Sequence, residues 1–238
     1  MLPFRTYVAL GDSISIDDYP VMDHQERTGA RVVGLGAVAL LRRNRDAIWP
    51  EFAGRDLEAL APGIRCHDLT YDGATTEGVL GGLAAGLPDA DPDAALATLT
   101  VGGNDLLALI GASRADGERG VDRALARVGE IVDRVRERLP RATVLAGTVY
   151  DPTDATGALE GHRLRAEEME WLARFNRGVA SRCAERGATL VDIHAHFIGH
   201  GRSAPPAERW YWSGSIIEPS SRGASEVRRL WLDAVEAR

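Results

Sequence analysis

At 238 residues, 45% of them hydrophobic and with a formal net charge of −7, the chain suits one α/β domain with a substantial core and has no apolar run long enough to cross a bilayer. All 28 basic residues are arginine, which excludes a Schiff-base lysine, a pyridoxal enzyme of the usual kind and a Walker-type phosphate loop. Arginines interleaved with acids, as in Asp133-Arg134-Val135-Arg136-Glu137-Arg138, read as a solvated helix face rather than a nucleic-acid footprint.

Taken in order, Thr6 to Leu10 is a buried strand that breaks at Gly11 and delivers Asp12 and Ser13, the way a strand presents a nucleophile. The long stretch from Ile14 to Trp49 suggests a lid or specificity loop. A helix is expected over Pro50 to Ala61 and a strand over Ile64 to Tyr71, which turns at Gly73 into a helix from Thr76 to Leu87. The strand Ala95 to Val101 ends at Gly102-Gly103, with Asn104 opening a helix to Ala112. Further helices are expected over Val121 to Leu139, Arg163 to Arg186 and Gly223 to Ala237, and further strands over Thr143 to Val149 and Ala188 to Ile193. Asp151 to Asp154, just past the fourth strand, either binds a substrate hydroxyl or makes a turn. Trp210, Tyr211 and Trp212 belong to the core or to a substrate wall.

This alternation implies one domain over 1–238, a three-layer α/β/α sandwich with a mostly parallel, flavodoxin-like five-stranded sheet. A switch in winding direction gathers the strand ends carrying Ser13, Gly73 and Asn104 on one edge. Backbone amides and an Asn side chain are suitable donors to the oxyanion of an ester under attack. The first strand begins almost at Met1 with no basic-then-apolar leader, so a cytoplasmic location is expected. Cys66 and Cys183 are too few for a disulfide framework and read as small hydrophobes.

Gly11-Asp12-Ser13, then Gly73, then Gly102-Gly103-Asn104-Asp105 resemble, in this order, the blocks of the SGNH or GDSL-type hydrolases. The resemblance implies Ser13 as nucleophile, with its own amide, the Gly73 amide and the Asn104 side chain as the oxyanion hole. Asp12 and Asp105 then brace loops. Such proteins usually carry Asp-x-x-His-Pro before the last helix, where His is the base and Asp orients it. Here Ser215 and Glu218 occupy those places, before Pro219. An unperturbed glutamate, with a pKa of about 4.3, is a weak base unless burial raises it.

The stretch Asp192-Ile193-His194-Ala195-His196-Phe197-Ile198-Gly199-His200 offers substitutes, with His194 and His196 on one face if the segment is extended. Three readings stand. His200, between two glycines, or His196 serves Ser13 and is oriented by Glu218; Glu218 acts alone; or Asp192, His194 and His196 hold a metal. The expected function is hydrolysis or transfer of an acyl group from a small-molecule ester through an acyl-enzyme on Ser13, with no cofactor, no nucleic acid and no membrane span. The alternative is a member that has lost ordinary hydrolysis and either binds a carbohydrate or acyl ligand or catalyses a reaction other than ester cleavage.

Overall fold

The computed structural model describes residues 1–89, 93–159 and 161–237. Its strands are β1 (Thr6–Gly11), β2 (Arg65–Thr70), β3 (Ala95–Thr100), β4 (Ala142–Gly147), β5 (Ala158–Leu159), β6 (His162–Arg163) and β7 (Thr189–Val191). The α-helices are α1 (Asp18–Thr28), α2 (Ala37–Arg42), α3 (Leu57–Leu60), α4 (Thr76–Gly86), α5 (Gly103–Leu107), α6 (Arg114–Arg138), α7 (Ala166–Arg186), α8 (Ile193–Phe197) and α9 (Ser221–Glu236). The main sheet runs β2-β1-β3-β4-β7, parallel throughout. β5 and β6 form a small antiparallel hairpin. The five-stranded parallel α/β sandwich is therefore the expected one.

β1 alternates between two cores, as side chains of period two must. Val8 and Leu10 face the cluster shared with α4, α6 and α7, while Tyr7 and Ala9 face the one shared with α2, α8 and α9. Helices thus cover both faces, and β1, β3 and β4 are almost wholly buried, which favours a parallel sheet. The amphipathic α9 buries Val227, Trp231, Leu232 and Val235; each large side chain contributes roughly 1.5–3 kcal/mol on full burial. Its fully buried Arg228 stacks 3.5 Å over Phe52 and bonds Asn44 and Ser225. That contact fixes the last helix to the 44–56 segment.

Several boundaries differ from expectation for physical reasons. The helix predicted from Pro50 to Ala61 is a single tight turn at Pro50–Phe52 followed by α3. Asp56 divides them, because its carboxylate accepts the Ala59 amide as an N-cap. The Ile14 to Trp49 stretch is an ordered segment carrying α1 and α2; the Asp17 carboxylate ties it together by accepting the amides of Gly34, Leu35 and Gly36. Among the described residues no helix is long and apolar enough to cross a membrane.

Order 2-1-3 places the switch in winding direction between β1 and β3. Gly11 makes their close approach possible: its φ is +152° and a Cβ there would lie 2.2 Å from Thr100 Oγ1. The crevice at the carboxyl ends of these strands is where open α/β sheets bind ligands.

Candidate active site

Ser13 follows β1 in a turn bonded to β3. The Asp12 amide donates to the Thr100 carbonyl at 3.0 Å, the Ser15 hydroxyl pairs with Thr100 Oγ1 at 2.7 Å, and Asp12 Oδ1 accepts the Ile14 amide at 3.2 Å. Burial raises the Asp12 carboxyl to about 7; the Ile14 amide and the Thr100 hydroxyl oppose this, and the Glu218 charge adds to it.

The second strand end is laced to the third. Tyr71 donates its amide to the Gly11 carbonyl at 3.1 Å, and Gly73 turns the chain with φ +72°. Asn104 Nδ2 donates to the Ala74 carbonyl at 3.0 Å. Asp105 accepts both the amide and the hydroxyl of Thr76, at 2.8 and 2.6 Å. Asn104 and Asp105 therefore fix the loop carrying Gly73 against α5, and the second Asn104 N–H is free of that bond. Asp12 and Asp105 brace loops, as the resemblance implied.

Glu218 ends a loop that returns from Trp212. Its carbonyl accepts the Trp212 amide at 2.9 Å. Ser215, which stands where an orienting aspartate is usual, accepts the amides of Ile217 and Glu218 on its own hydroxyl, both at 3.3 Å. It braces the loop and orients nothing else. The Glu218 carboxyl is buried, and its Oε2 has no hydrogen-bond partner. Burial raises it to about 7; a hydrogen bond with the Ser13 side chain pulls it down, and the Asp72 charge pushes it further up. Burial thus shifts this carboxyl in the direction that strengthens a base.

The structure places the histidines elsewhere. Residues 193–197 form α8 rather than an extended segment, because Asp192 caps it by accepting the Ala195 amide while the His194 amide donates to Thr148 Oγ1. Two residues apart on a helix means opposite faces, so His194 and His196 diverge. His194 Nδ1 lies 3.2 Å from the Val149 carbonyl, and His196 Nε2 lies 2.9 Å from Glu226. His200 stacks on Trp210 with centroids 3.7 Å apart and bonds the Glu208 carbonyl. Neither His196 nor His200 lines the cleft beside Ser13 or acts on Glu218. The set weighed as a metal site also separates: Asp192 is engaged with Thr148 and Ala195, and no metal-holding group of three such side chains occurs among the described residues.

Beside Ser13 and Asn104 opens a cleft that reaches across the end of β4 to Trp171 and Leu172 on α7. Asp151 lines it with its carboxylate engaged by Thr153 and Ala155, so the 151–154 segment is a turn. Trp210 and Tyr211 are core; Trp212 packs on Tyr19 and donates to Glu26. Two neighbours of Glu218 escaped the sequence reading, Asp72 and Tyr19; the Tyr19 hydroxyl donates to Asp72 at 3.0 Å, and the Glu218 charge acts on Tyr19. Asp72 directly precedes Gly73, a position that could have flagged it; nothing in the sequence flags Tyr19.

The model of the GDSL-like lipase/acylhydrolase family matches residues 9–224. No curated protein matches the chain in sequence. Among solved structures it is similar to the acetylxylan esterase Axe2 from Geobacillus stearothermophilus, at 16% identity and TM-score 0.62, covering 99% of this chain and 96% of that one. It is also similar to a phospholipase A1 from Streptomyces albidoflavus NA297, at 23% identity and TM-score 0.58, covering 97% and 98%. An extracellular lipase from Streptomyces rimosus aligns at 19% identity and TM-score 0.60, covering 98% of each chain. These likenesses describe the fold.

Proposed function

Because this chain belongs to the GDSL-like lipase/acylhydrolase family, we propose that it cleaves carboxylic esters through an acyl-enzyme on Ser13, with Glu218 in the place of the usual imidazole. What supports this reading is the Glu218 carboxyl itself: it stands where the family carries its histidine, it is buried, and burial raises its pKa to about 7 while the Ser13 side chain acts on it in the opposite direction. A base whose pKa lies near the working pH combines the right protonation state with enough basicity to take a hydroxyl proton.

Ser13 Oγ attacks the ester carbonyl carbon as its proton passes to the Glu218 carboxylate. The tetrahedral oxyanion takes hydrogen bonds from the Ser13 amide, the Gly73 amide and Asn104 Nδ2. Collapse breaks the bond to the alkoxide, which leaves with the proton held by Glu218. Water then attacks the acyl-enzyme, with Glu218 again accepting the proton, and releases the acid and Ser13; an alcohol in place of water gives acyl transfer. Asp12 and Glu218 titrate over the same range and influence each other, so the apparent pKa of turnover belongs to the pair.

The test is Ser13→Ala together with labelling by a fluorophosphonate. Ester turnover is lost in the variant while its melting temperature stays close to that of the parent, and the probe labels the parent alone. An unlabelled parent that turns over no ester would leave the alternative, a ligand-binding member of the family.

A further inference from the structure

We propose that the pocket formed by β1, α2 and the edge strand β2 is a second binding site, for a small organic carboxylate with an apolar body. It is separate from the cleft beside Ser13, and nothing in it depends on the ester reaction. Its space of about 330 Å³, against about 110 Å³ for that cleft, reaches the lower end of the range of small-molecule sites.

Floor and rim differ in chemistry. Tyr7 on β1, Val38 and Ala39 on α2 and Cys66 on β2 supply an apolar floor, and Arg42, Arg43 and Arg45 line the same pocket. Against these three cations stand two lining acids, Glu58 and Asp68, so with His67 neutral one positive charge is left over. A monoanion cancels it.

The acids leave room for such a ligand. Glu58, 41% exposed, is shared between Arg42 and Arg43 at 3.3 and 3.7 Å, and exposed pairs of this kind contribute little. Asp68 Oδ1 is taken by the amide and hydroxyl of Thr70 at 3.0 and 2.6 Å. Arg45 is the cation left without a match, for its Nε is buried and has no hydrogen-bond partner. A buried donor left unmet costs free energy, which a carboxylate recovers while presenting two oxygens to the planar fork.

Arg45 is also held in place. Its carbonyl accepts the amides of Ile48 and Trp49, both at 2.8 Å. Its guanidinium packs on Gly34, where a Cβ would lie 3.0 Å from Cζ, and the Gly34 amide is fixed by Asp17 at 2.7 Å. The charge is therefore positioned before a ligand arrives.

The thiol on the floor reports occupancy. Cys183 is 2% exposed, so iodoacetamide alkylates Cys66 first, and peptide mass spectrometry follows the rate. Sodium benzoate slows this alkylation saturably in the millimolar range, whereas acetate and inorganic phosphate at equal ionic strength protect about tenfold less, because neither covers the apolar floor. Arg45→Met raises the half-protecting benzoate concentration about tenfold, as expected for a lost charged hydrogen bond, and Arg45→Lys recovers part of it. Glu58→Gln frees Arg42 and Arg43 and lowers that concentration about threefold. Each variant is compared with its own unliganded rate, since the Arg42 and Glu58 charges act on this thiol in opposite directions. Ester turnover of Arg45→Met matches the parent, because Arg45 does not line the cleft beside Ser13. Protection no greater than that given by chloride, phosphate as effective as benzoate, an unchanged half-protecting concentration in Arg45→Met that melts like the parent, or weaker protection in Glu58→Gln each overturns the proposal. If Arg45→Met does not fold, Arg45→Lys and Glu58→Gln decide it. Saturable protection by benzoate in a parent that turns over no ester upholds this site and removes the hydrolytic reading alone.

Discussion

The ends of β1, β2 and β3 are tied to one another by bonds among neighbouring strand ends, whereas the segment from Asp192 to Glu218 is held by anchors from other parts of the chain. In the first region Asp12 reaches Thr100, Tyr71 reaches Gly11, Asn104 reaches Ala74 and Asp105 reaches Thr76. In the second, Asp154 accepts the amides of Gly199 and Gly201 and the Ser203 hydroxyl, Glu26 receives Trp212 and Ser213, and Asp23 caps the start of α9 at Ser221. Strand ends adjacent in a sheet are fixed by register. A long return loop takes its position from whatever it packs on, and with it goes Glu218, the base proposed for Ser13.

The sharpest way to break this contrast is Glu218→Gln. It lowers kcat by about 10³-fold, within the range for a lost general base, while His196→Ala and His200→Ala stay within about twofold of the parent. A histidine variant as damaging as Glu218→Gln would overturn the assignment. In the parent, turnover rises with pH through an apparent pKa near 7, as the carboxylate form requires. Stability moves the other way. Glu218 is raised in the folded state from an ordinary 4.5 to about 7, so its contribution is fully present below the unfolded value and lost as pH rises through the folded one. Above pH 7 the buried anion costs up to about 3 kcal/mol. Thermal melts should therefore show Glu218→Gln more stable than the parent at pH 8 and no different at pH 4.

In the strand-end region the corresponding change is Asn104→Ala. It removes one oxyanion donor, so kcat falls about 10²-fold or more with a smaller change in KM. Steady-state kinetics separate this from a substrate-positioning role, in which KM alone moves.

Asp154→Ala tests the anchoring of the return loop. Three hydrogen bonds to a carboxylate disappear, each contributing about 1 kcal/mol net, so the melting temperature drops by several degrees. Hydrogen exchange accelerates around Gly199 to Ser203, and kcat changes less than threefold because this anchor lies away from Glu218.

The smallest effect belongs to Asp72→Asn. Removing the charge that pushes Glu218 upward moves the acid limb of the kcat profile to lower pH by some tenths of a unit, and added salt moves the parent the same way by screening. An acid limb that shifts upward would show that Asp72 does not act on the base through its charge.

The elements that the sequence made legible are those whose patterns are local. An apolar run of four or five residues closed by glycine marks β1 and β3 wherever it occurs, since only a buried strand uses it, and the alternation of such runs with helical stretches leaves few topologies beyond a doubly wound sheet. Ser13, Gly73 and Asn104 were legible for the same reason: each sits within four residues of a strand end. Boundaries moved where a single side chain competes with the pattern, as Asp56 does by capping α3 and Asp192 by capping α8. The cap at Asp192 turned an expected extended histidine segment into a helix, and with it went the shared face of His194 and His196.

What the sequence by itself determined was the sheet, its winding and the serine at its switch point, because periodicity and glycine act over a few residues. The surroundings of Glu218, the partner proposed for that serine, were decided only in three dimensions. Glu218 has the composition of a weak base on the page; a buried carboxyl beside Ser13, under the charge of Asp72 from another strand end, is a different acid, and desolvation is a property of the packing that surrounds a residue. The cleft beside Ser13 is likewise invisible along the chain, since its wall is assembled from Ile14, Leu107, Val149, Leu159, Trp171 and Ile217, residues that only the closing of the sheet edge brings to one surface.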